Sequence, residues 1–450
     1  MPNPTVVLNV VGLDQAALAH MPNLAALGPV TALQPVLPAV TCSAQATMLT
    51  GLSPAEHGVV GNGWYERDQA EVRFWKQSNH LVHGEKVWEA ARRRDPSVTT
   101  AKMFWWFNMH ADVEFSATPR PQYRADGRKL PDIHTRPMAL RDALQRELGT
   151  FPLFNFWGPT ANLKSTQWIA EATRYVVEKH DPTLTLTYLP HLDYDFQRYG
   201  PSDPRSIQAA GELDQVVGDF IQAMHQLGRR VLVVSEYGIE PVSKPVRINR
   251  ILRNLGHLKF RIEEGREYLD PGESSAFAVA DHQVAQVYLP AGGDLNQLCG
   301  KLSEVDGIAE VLTGQARGDL DHPRAGDLVL VAESGAWFTY DWWEDDDRAP
   351  DYARTVDIHN KPGYDPCELF VEPGLSTTLK IGAKLAAKKL GFRTLFDVIP
   401  IRPELVGGSH GRPHASPEHR PVLLGFDQAG EERPMSFVKD AILQTLFDSD

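Results

Sequence analysis

At 450 residues the chain can bury one large core and carry an inserted subdomain. Hydrophobic residues make up 42% and charged residues 23%, as in an ordinary water-soluble domain. The formal net charge of −13 argues against a nucleic-acid polymer as partner, because phosphate backbones need basic surfaces. Cys42, Cys299 and Cys367 are odd in number and widely spaced, which argues against a disulfide framework. No basic leader or long apolar run opens the chain. The expectation is a cytoplasmic protein with no membrane partner; the pattern does not fix an oligomeric state.

The short β-branched run Thr5–Val11, bounded by Pro and Gly, predicts a buried strand. Pro22 opens a short helix within Met21–Leu27. Pro38 favours an extended residue before it, and helix formers follow Thr41. Thr41 therefore lies near a helix N-terminus, where free N–H groups and the dipole favour an anion. Further on, helices are predicted over 85–94, Trp168–Lys179 and Ser206–Leu227, and strands over Thr99–Phe107, Leu184–Leu189 and Arg230–Ser235. Such alternation is the pattern of a parallel sheet with helices on both faces.

After about residue 245 the texture changes. Phe277–Ala280 and Gln283–Leu289 read as strands, Gly293–Cys299 as a short helix, and Leu328–Ala332 and Trp337–Tyr340 as a pair of strands. The expected division is a core over 1–244, an α+β cap over 245–345, and a return to the core over 346–450. The return carries a helix over Thr377–Leu390 and a strand-like Pro421-Val-Leu-Leu. The acidic run Glu344–Asp347 reads as a solvated turn, with cation binding as the alternative, and the aromatic runs at 104–107 and 342–343 as core, with an aromatic pocket for a base or ring as the alternative.

Two readings of Thr41 stand side by side. It can be a helix N-cap, or a hydroxyl able to attack phosphorus once its pKa is lowered. The ordered block around it contains Pro38, Thr41, Thr50, Gly51, Pro54, His57, Gly58, Gly61 and Asn62. This block resembles the nucleophile segment of the alkaline phosphatase superfamily, in its nucleotide pyrophosphatase/phosphodiesterase and phosphonoacetate hydrolase branch. The resemblance implies an α/β three-layer sandwich with an inserted cap. It also implies Thr41 as the nucleophile and Asn62 as a donor to the phosphoryl oxygens.

The same resemblance assigns metal ligands to three loops that follow predicted strands: 189–201, 234–239 and 407–412. Asp193 and His410 stand as the family pattern has them, and Glu236 keeps a carboxylate where the family has Asp. Gln197 and Tyr237 occupy positions where the family has His, and Val11 falls where it has a strand-end Asp. The implied cofactor is a divalent ion of the zinc type, one or two per chain, with one site weakened by these changes. Asn9, Asp14, Asp281, His282 and His359 are further candidates to fill the gaps; for the histidines the preferred reading is a surface or hydrogen-bonded structural role.

The function these residues imply is hydrolysis of phosphate or phosphonate esters on a small phosphorylated substrate, through a covalent phospho-threonine. The alternative is a catalytically degenerate relative that binds a ligand or acts as a scaffold. Sulfatase chemistry fits less well, because Thr41-Cys42-Ser43-Ala44-Gln45 lacks the Cys-x-Pro-x-Arg run.

Overall fold

The computed structural model describes residues 2–372, 374–413, 417–426 and 432–448. Five strands lie side by side and parallel in the middle of a nine-stranded sheet. They are Arg230–Val234, Thr5–Val10, Leu184–Leu189, Thr100–Met103 and Phe115–Pro119. Every residue of Thr5–Val10 and of Leu184–Leu189 is buried, as expected of strands covered on both faces. Ile133–Arg136 closes one edge antiparallel. At the other, Val422–Leu424 and Thr31–Gln34 add antiparallel neighbours, and Arg433–Pro434 completes the order.

The helices covering this sheet are delimited by ordinary caps. Asp203 accepts from the Arg205 amide ahead of Pro204–Gln226, which has proline in its first turn. Asn162 accepts from the Lys164 amide ahead of Leu163–His180, and Asp181 ends that helix with φ +52. These two helices and Met138–Leu148 pack together, while Phe437–Phe447 packs with Thr41–Thr50 and Val87–Arg94. One hydrophobic cluster joins them to the sheet.

A second, antiparallel sheet orders its strands Phe277–Asp281, Val284–Tyr288, Leu328–Ala332 and Ile308–Thr313. It builds its own apolar cluster with Tyr65, Phe74, Trp342, Trp343 and Tyr364. Two expectations need correction. Trp337–Tyr340 does not pair with Leu328–Ala332, because both edges of that strand are already taken. The strand is instead Ala336–Phe338, parallel to Lys244–Val246. The strand expected over Thr99–Phe107 stops at Met103, where Phe104 turns to φ +67. Buried Lys102 holds the turn, its Nζ donating to the carbonyls of Trp106 and Phe107 at 2.8 Å each. The aromatic runs are core, with Phe104, Trp105, Phe107, Trp342 and Trp343 all buried.

Candidate active site

Because Thr5–Val10, Leu184–Leu189 and Arg230–Val234 run parallel in register, their C-terminal ends open at one edge of the sheet. From the first comes Asn9, one turn of pleat before Val11. After the second, the helix His191–Tyr199 begins almost at once, with Asp193 in its first turn and Gln197 four residues on, along the same face. After the third come Glu236 and Tyr237. His410 is delivered by Gly408–Ser409, which pairs with Glu240–Pro241. The chain passes so close to helix His191–Tyr199 here that a side chain at Gly408 would strike the Phe196 carbonyl.

Thr41 is the first residue of the helix Thr41–Thr50. The N-cap is Val40, in extended conformation and with no side-chain capping bond, so the Thr41 hydroxyl is not used as a cap. It lies 3.2 Å from the Tyr237 hydroxyl, which in turn donates to Asp193 Oδ1 at 3.2 Å. The Thr41 hydroxyl also reaches the Glu236 carboxylate, whose pKa it helps to lower, so it lies between the two acids. Gln197 Nε2 donates to Asp193 Oδ2 at 2.8 Å, and Tyr364 donates to Gln197 Oε1 at 2.9 Å. His410 Nδ1 lies 2.9 Å from the Ala39 carbonyl, which can only accept. Nδ1 therefore carries the proton and Nε2 presents a lone pair, 3.8 Å from Asp193 Oδ1.

Glu236 is arranged differently. Its Oε1 accepts from both Asn9 Nδ2 and Gln45 Nε2 at 2.6 Å each, while buried Oε2 and Asn9 Oδ1 have no hydrogen-bond partner. Asn62 accepts from the Cys42 amide at 3.0 Å. Its own Nδ2 donates to Asp281 Oδ1 at 3.1 Å, and its backbone N–H donates to Asp281 Oδ2 at 2.8 Å. Asp281 ends the strand Phe277–Asp281, and His282 opens the two-residue turn before Val284–Tyr288, at φ +61. Four rings then stack in sequence: Tyr237 on His410 at 3.5 Å between centroids, His410 on His282 at 3.8 Å, and His282 on Tyr364 at 3.6 Å.

Burial dominates the electrostatics. It pushes Asp193 up to about 6, Asp281 to about 7 and Glu236 to about 8, against the opposing pull of the hydrogen bonds just described. It also holds His282 well below its ordinary range.

The sequence candidates Thr41, Asn62, Asp193, Glu236, His410, Gln197, Tyr237, Asn9, Asp281 and His282 thus come together. Asp14 and His359 do not. Asp14 caps the short helix Gln15–Leu18 by accepting from Ala17, and its other oxygen faces His419. His359 is exposed, its ring edge-on to Tyr123. Two participants were missed. Gln45 lies one turn after Thr41 on the same helix, a spacing that could have flagged it. Tyr364 enters from an irregular loop that carries no such signal.

A metal is tested by these donors. Among the described residues no three His, Cys, Asp or Glu side chains gather to hold an ion unaided. Around Asp193, however, the His410 lone pair and the oxygens of Tyr237 and Thr41 follow one another at 3.2–3.8 Å. That spacing suits one coordination shell with bonds near about 2 Å. On the other side Val11 offers no lone pair, and one Glu236 oxygen is occupied by two amides. The donors around Asp193 suit one divalent ion, and on the Glu236 side the oxygens left without a hydrogen-bond partner are Glu236 Oε2 and Asn9 Oδ1.

A parallel sheet covered by helices, with a hydroxyl and buried carboxyls at its C-terminal edge, has the alkaline-phosphatase-like fold. Residues 5–365 match the family profile of type I phosphodiesterase / nucleotide pyrophosphatase, and the chain belongs to that family. Its whole length superposes on phosphonoacetate hydrolase from Sinorhizobium meliloti 1021 in complex with phosphonoformate. The TM-score is 0.60 at 15% identity, over 99% of this chain and 95% of the other. Murine ectonucleotide pyrophosphatase / phosphodiesterase 5 in complex with AMP gives a TM-score of 0.59 at 14% identity, over 100% and 96%. In sequence, an uncharacterized pyrophosphatase/phosphodiesterase of Schizosaccharomyces pombe is 25% identical over 254 residues. The match takes in 53% of this chain and 45% of that protein. Ectonucleotide pyrophosphatase/phosphodiesterase family member 1 of Rattus norvegicus is 23% identical over 50% of this chain and 22% of its own. The matches thus span less than half of these curated relatives. No described helix is long and apolar enough to cross a membrane.

Proposed function

We propose that the chain hydrolyses phosphate or phosphonate esters, of the phosphodiesterase or nucleotide pyrophosphatase kind, with Thr41 as the attacking group. One observation carries this reading: a buried hydroxyl at the first turn of a helix, not used as a cap, 3.2 Å from the Tyr237 hydroxyl that donates to Asp193. In the first half-reaction a Thr41 Oγ–P bond forms and the ester P–O bond breaks, the leaving oxygen departing with a proton. Water then cleaves the phospho-threonine. Tyr237 receives the hydrogen bond of the attacking hydroxyl and passes the polarisation on to Asp193. In this reading the positive N-terminus of the helix Thr41–Thr50 attracts the phosphoryl group, and the second amide hydrogen of Asn62 bonds a phosphoryl oxygen while Asn62 Oδ1 holds the Cys42 amide.

A divalent ion held by Asp193 and His410, with Glu236 as a further carboxylate, belongs to the same proposal; bound there, it supplies positive charge to the phosphoryl group. Residues 245–345 act as a cap, supported by Asp281 and His282 reaching the site from the second sheet. Three unpaired cysteines, Cys42, Cys299 and Cys367, support a reducing, cytoplasmic setting.

The test compares wild type with Thr41→Ala, measuring turnover of an aryl phosphodiester across divalent metals alongside the melting curve. Turnover should fall by several orders of magnitude, while loss of one hydrogen bond costs about 0.5–1.5 kcal/mol of stability. Equal turnover would make water the attacking group. A second reading, a binding protein that has lost catalysis, is favoured by the substituted ligand positions Val11, Gln197 and Tyr237. It would be upheld if wild type binds a nucleotide or phosphonate but turns over no ester with any metal.

A further inference from the structure

The helix Leu375–Lys389 and the run after it differ in kind from the rest of the surface. Between Glu372 and Asp397 the sequence carries Lys380, Lys384, Lys388, Lys389 and Arg393 and no acidic residue, in a chain of net charge −13. Leu379, Leu385, Leu390, Phe392 and Leu395 are 52–76% exposed. None of the described side chains from 377 to 398 is buried. A fifteen-residue helix normally owes its stability to an apolar face packed on something, and here that face meets solvent.

The following run folds back along the helix, because Asp397 pairs with both Lys380 at 2.9 Å and Lys384 at 2.7 Å. Arg393 lies over Gly127, at the turn of the small hairpin Gln122–Tyr123 and Lys129–Leu130. That hairpin extends the surface with Arg124, Lys129, the exposed ring of Tyr123, and Arg128 paired with Asp126 at 2.6 Å. Exposed Leu and Phe interleaved with Lys and Arg form a broad, convex face.

We infer that this face seats on an anionic lipid bilayer, with the helix lying in the interface. Its Leu and Phe side chains would enter the acyl boundary and its basic groups would meet the headgroup phosphates. Charge decides between occupants. A second copy docked face to face would bring two strongly basic stretches together, whereas an anionic surface complements them. A soluble polyanion would satisfy the Lys and Arg but leave the leucines wet. The inference does not depend on the hydrolase reading.

The experiment is co-sedimentation of the full chain with vesicles of phosphatidylcholine alone, or of phosphatidylcholine mixed with phosphatidylserine. Binding should be at least about tenfold stronger to the mixed vesicles at low salt and weaken at high salt, as expected for several basic groups near a charged surface. The double variant Leu390→Asp/Phe392→Asp should lose binding to both. Arg124→Glu/Arg393→Glu should lose the preference for the anionic vesicles. Both variants should melt as wild type does, since Arg124, Leu390, Phe392 and Arg393 are exposed. Equal binding to the two vesicles, or none, overturns the inference. So does a dimer in sedimentation equilibrium that Leu390→Asp/Phe392→Asp converts to monomer, because a second copy would then cover the face.

Discussion

The site has two acidic halves built from the same materials to different ends. Asp193 and Glu236 each follow a parallel strand, each is buried, and each is pushed up in pKa by that burial. Around Asp193 stand the His410 imidazole, the Tyr237 phenol and the Gln197 amide, one hydrogen bond reaching each carboxylate oxygen. Around Glu236 two amides converge on a single oxygen, the other has no hydrogen-bond partner, and the neighbouring strand-end residue is Val11. Equal burial therefore does not make equal surroundings. What distinguishes the two is the company each keeps: an imidazole beside Asp193, and two amides sharing one oxygen of Glu236.

The sharpest way to break this contrast is to remove each acid in turn. Asp193→Ala and His410→Ala should each lower turnover and divalent-ion affinity by at least about 100-fold, the upper range for outer partners of a metal site. Glu236→Gln should cost less than about tenfold below pH 7, because a protonated Glu and a Gln present the same acceptor to Asn9 and Gln45. A reversed ranking, read from kcat/KM and calorimetric metal titration, would exchange the two halves. Rebuilding the second half asks the complementary question. Val11→Asp combined with Tyr237→His should raise bound zinc from one ion to two by elemental analysis. Without metal, the buried charge should cost about 3–5 kcal/mol in the melting curve.

A smaller effect concerns Lys102, the buried cation behind the 104–107 turn. Burial lowers it to about 7. Above that pH the folded chain holds a neutral amine while the unfolded chain is still protonated, so the unfolded state binds more protons. Stability should then rise with pH from about 7 towards 10, by about 1.4 kcal/mol per unit at most. Lys102→Met should flatten that slope, whatever it does to the absolute melting temperature. If both proteins show the same slope, another group sets it. Smallest of all, Asp14→Ala should cost about 0.5–2 kcal/mol as a lost cap with turnover unchanged. His359→Ala should change neither stability nor turnover.

The sequence already showed the parallel core, since buried β-branched runs alternating with amphipathic helices leave few alternatives. The candidate site positions came from the resemblance around residues 38–62 and in the three loops, and strand order explains only why the loops after Thr5–Val10, Leu184–Leu189 and Arg230–Val234 meet at one edge. What it missed follows from the same physics. Asp14 looked eligible as an acid near a strand end, but an Asp before Gln15–Leu18 does what such residues usually do and caps the helix. The loop 357–365 does reach the site, though through Tyr364 rather than His359, because no periodicity tells which side chain of an irregular loop points inward. The pairing of Ala336–Phe338 with Lys244–Val246 depends on which strand edges remain open, a property of the whole sheet that no local pattern contains.

The stack of Tyr237, His410, His282 and Tyr364 also has a kinetic meaning. Its rings come from four segments separated by tens of residues, and one of them, Tyr237, meets the hydroxyl of Thr41. Contacts so distant in sequence require the loops between them to close first. Thr41 is thus among the first parts of the chain to be synthesised, while Tyr237 and the rings stacked behind it come from much later segments. A chain folded only in its first half would carry the hydroxyl without these partners.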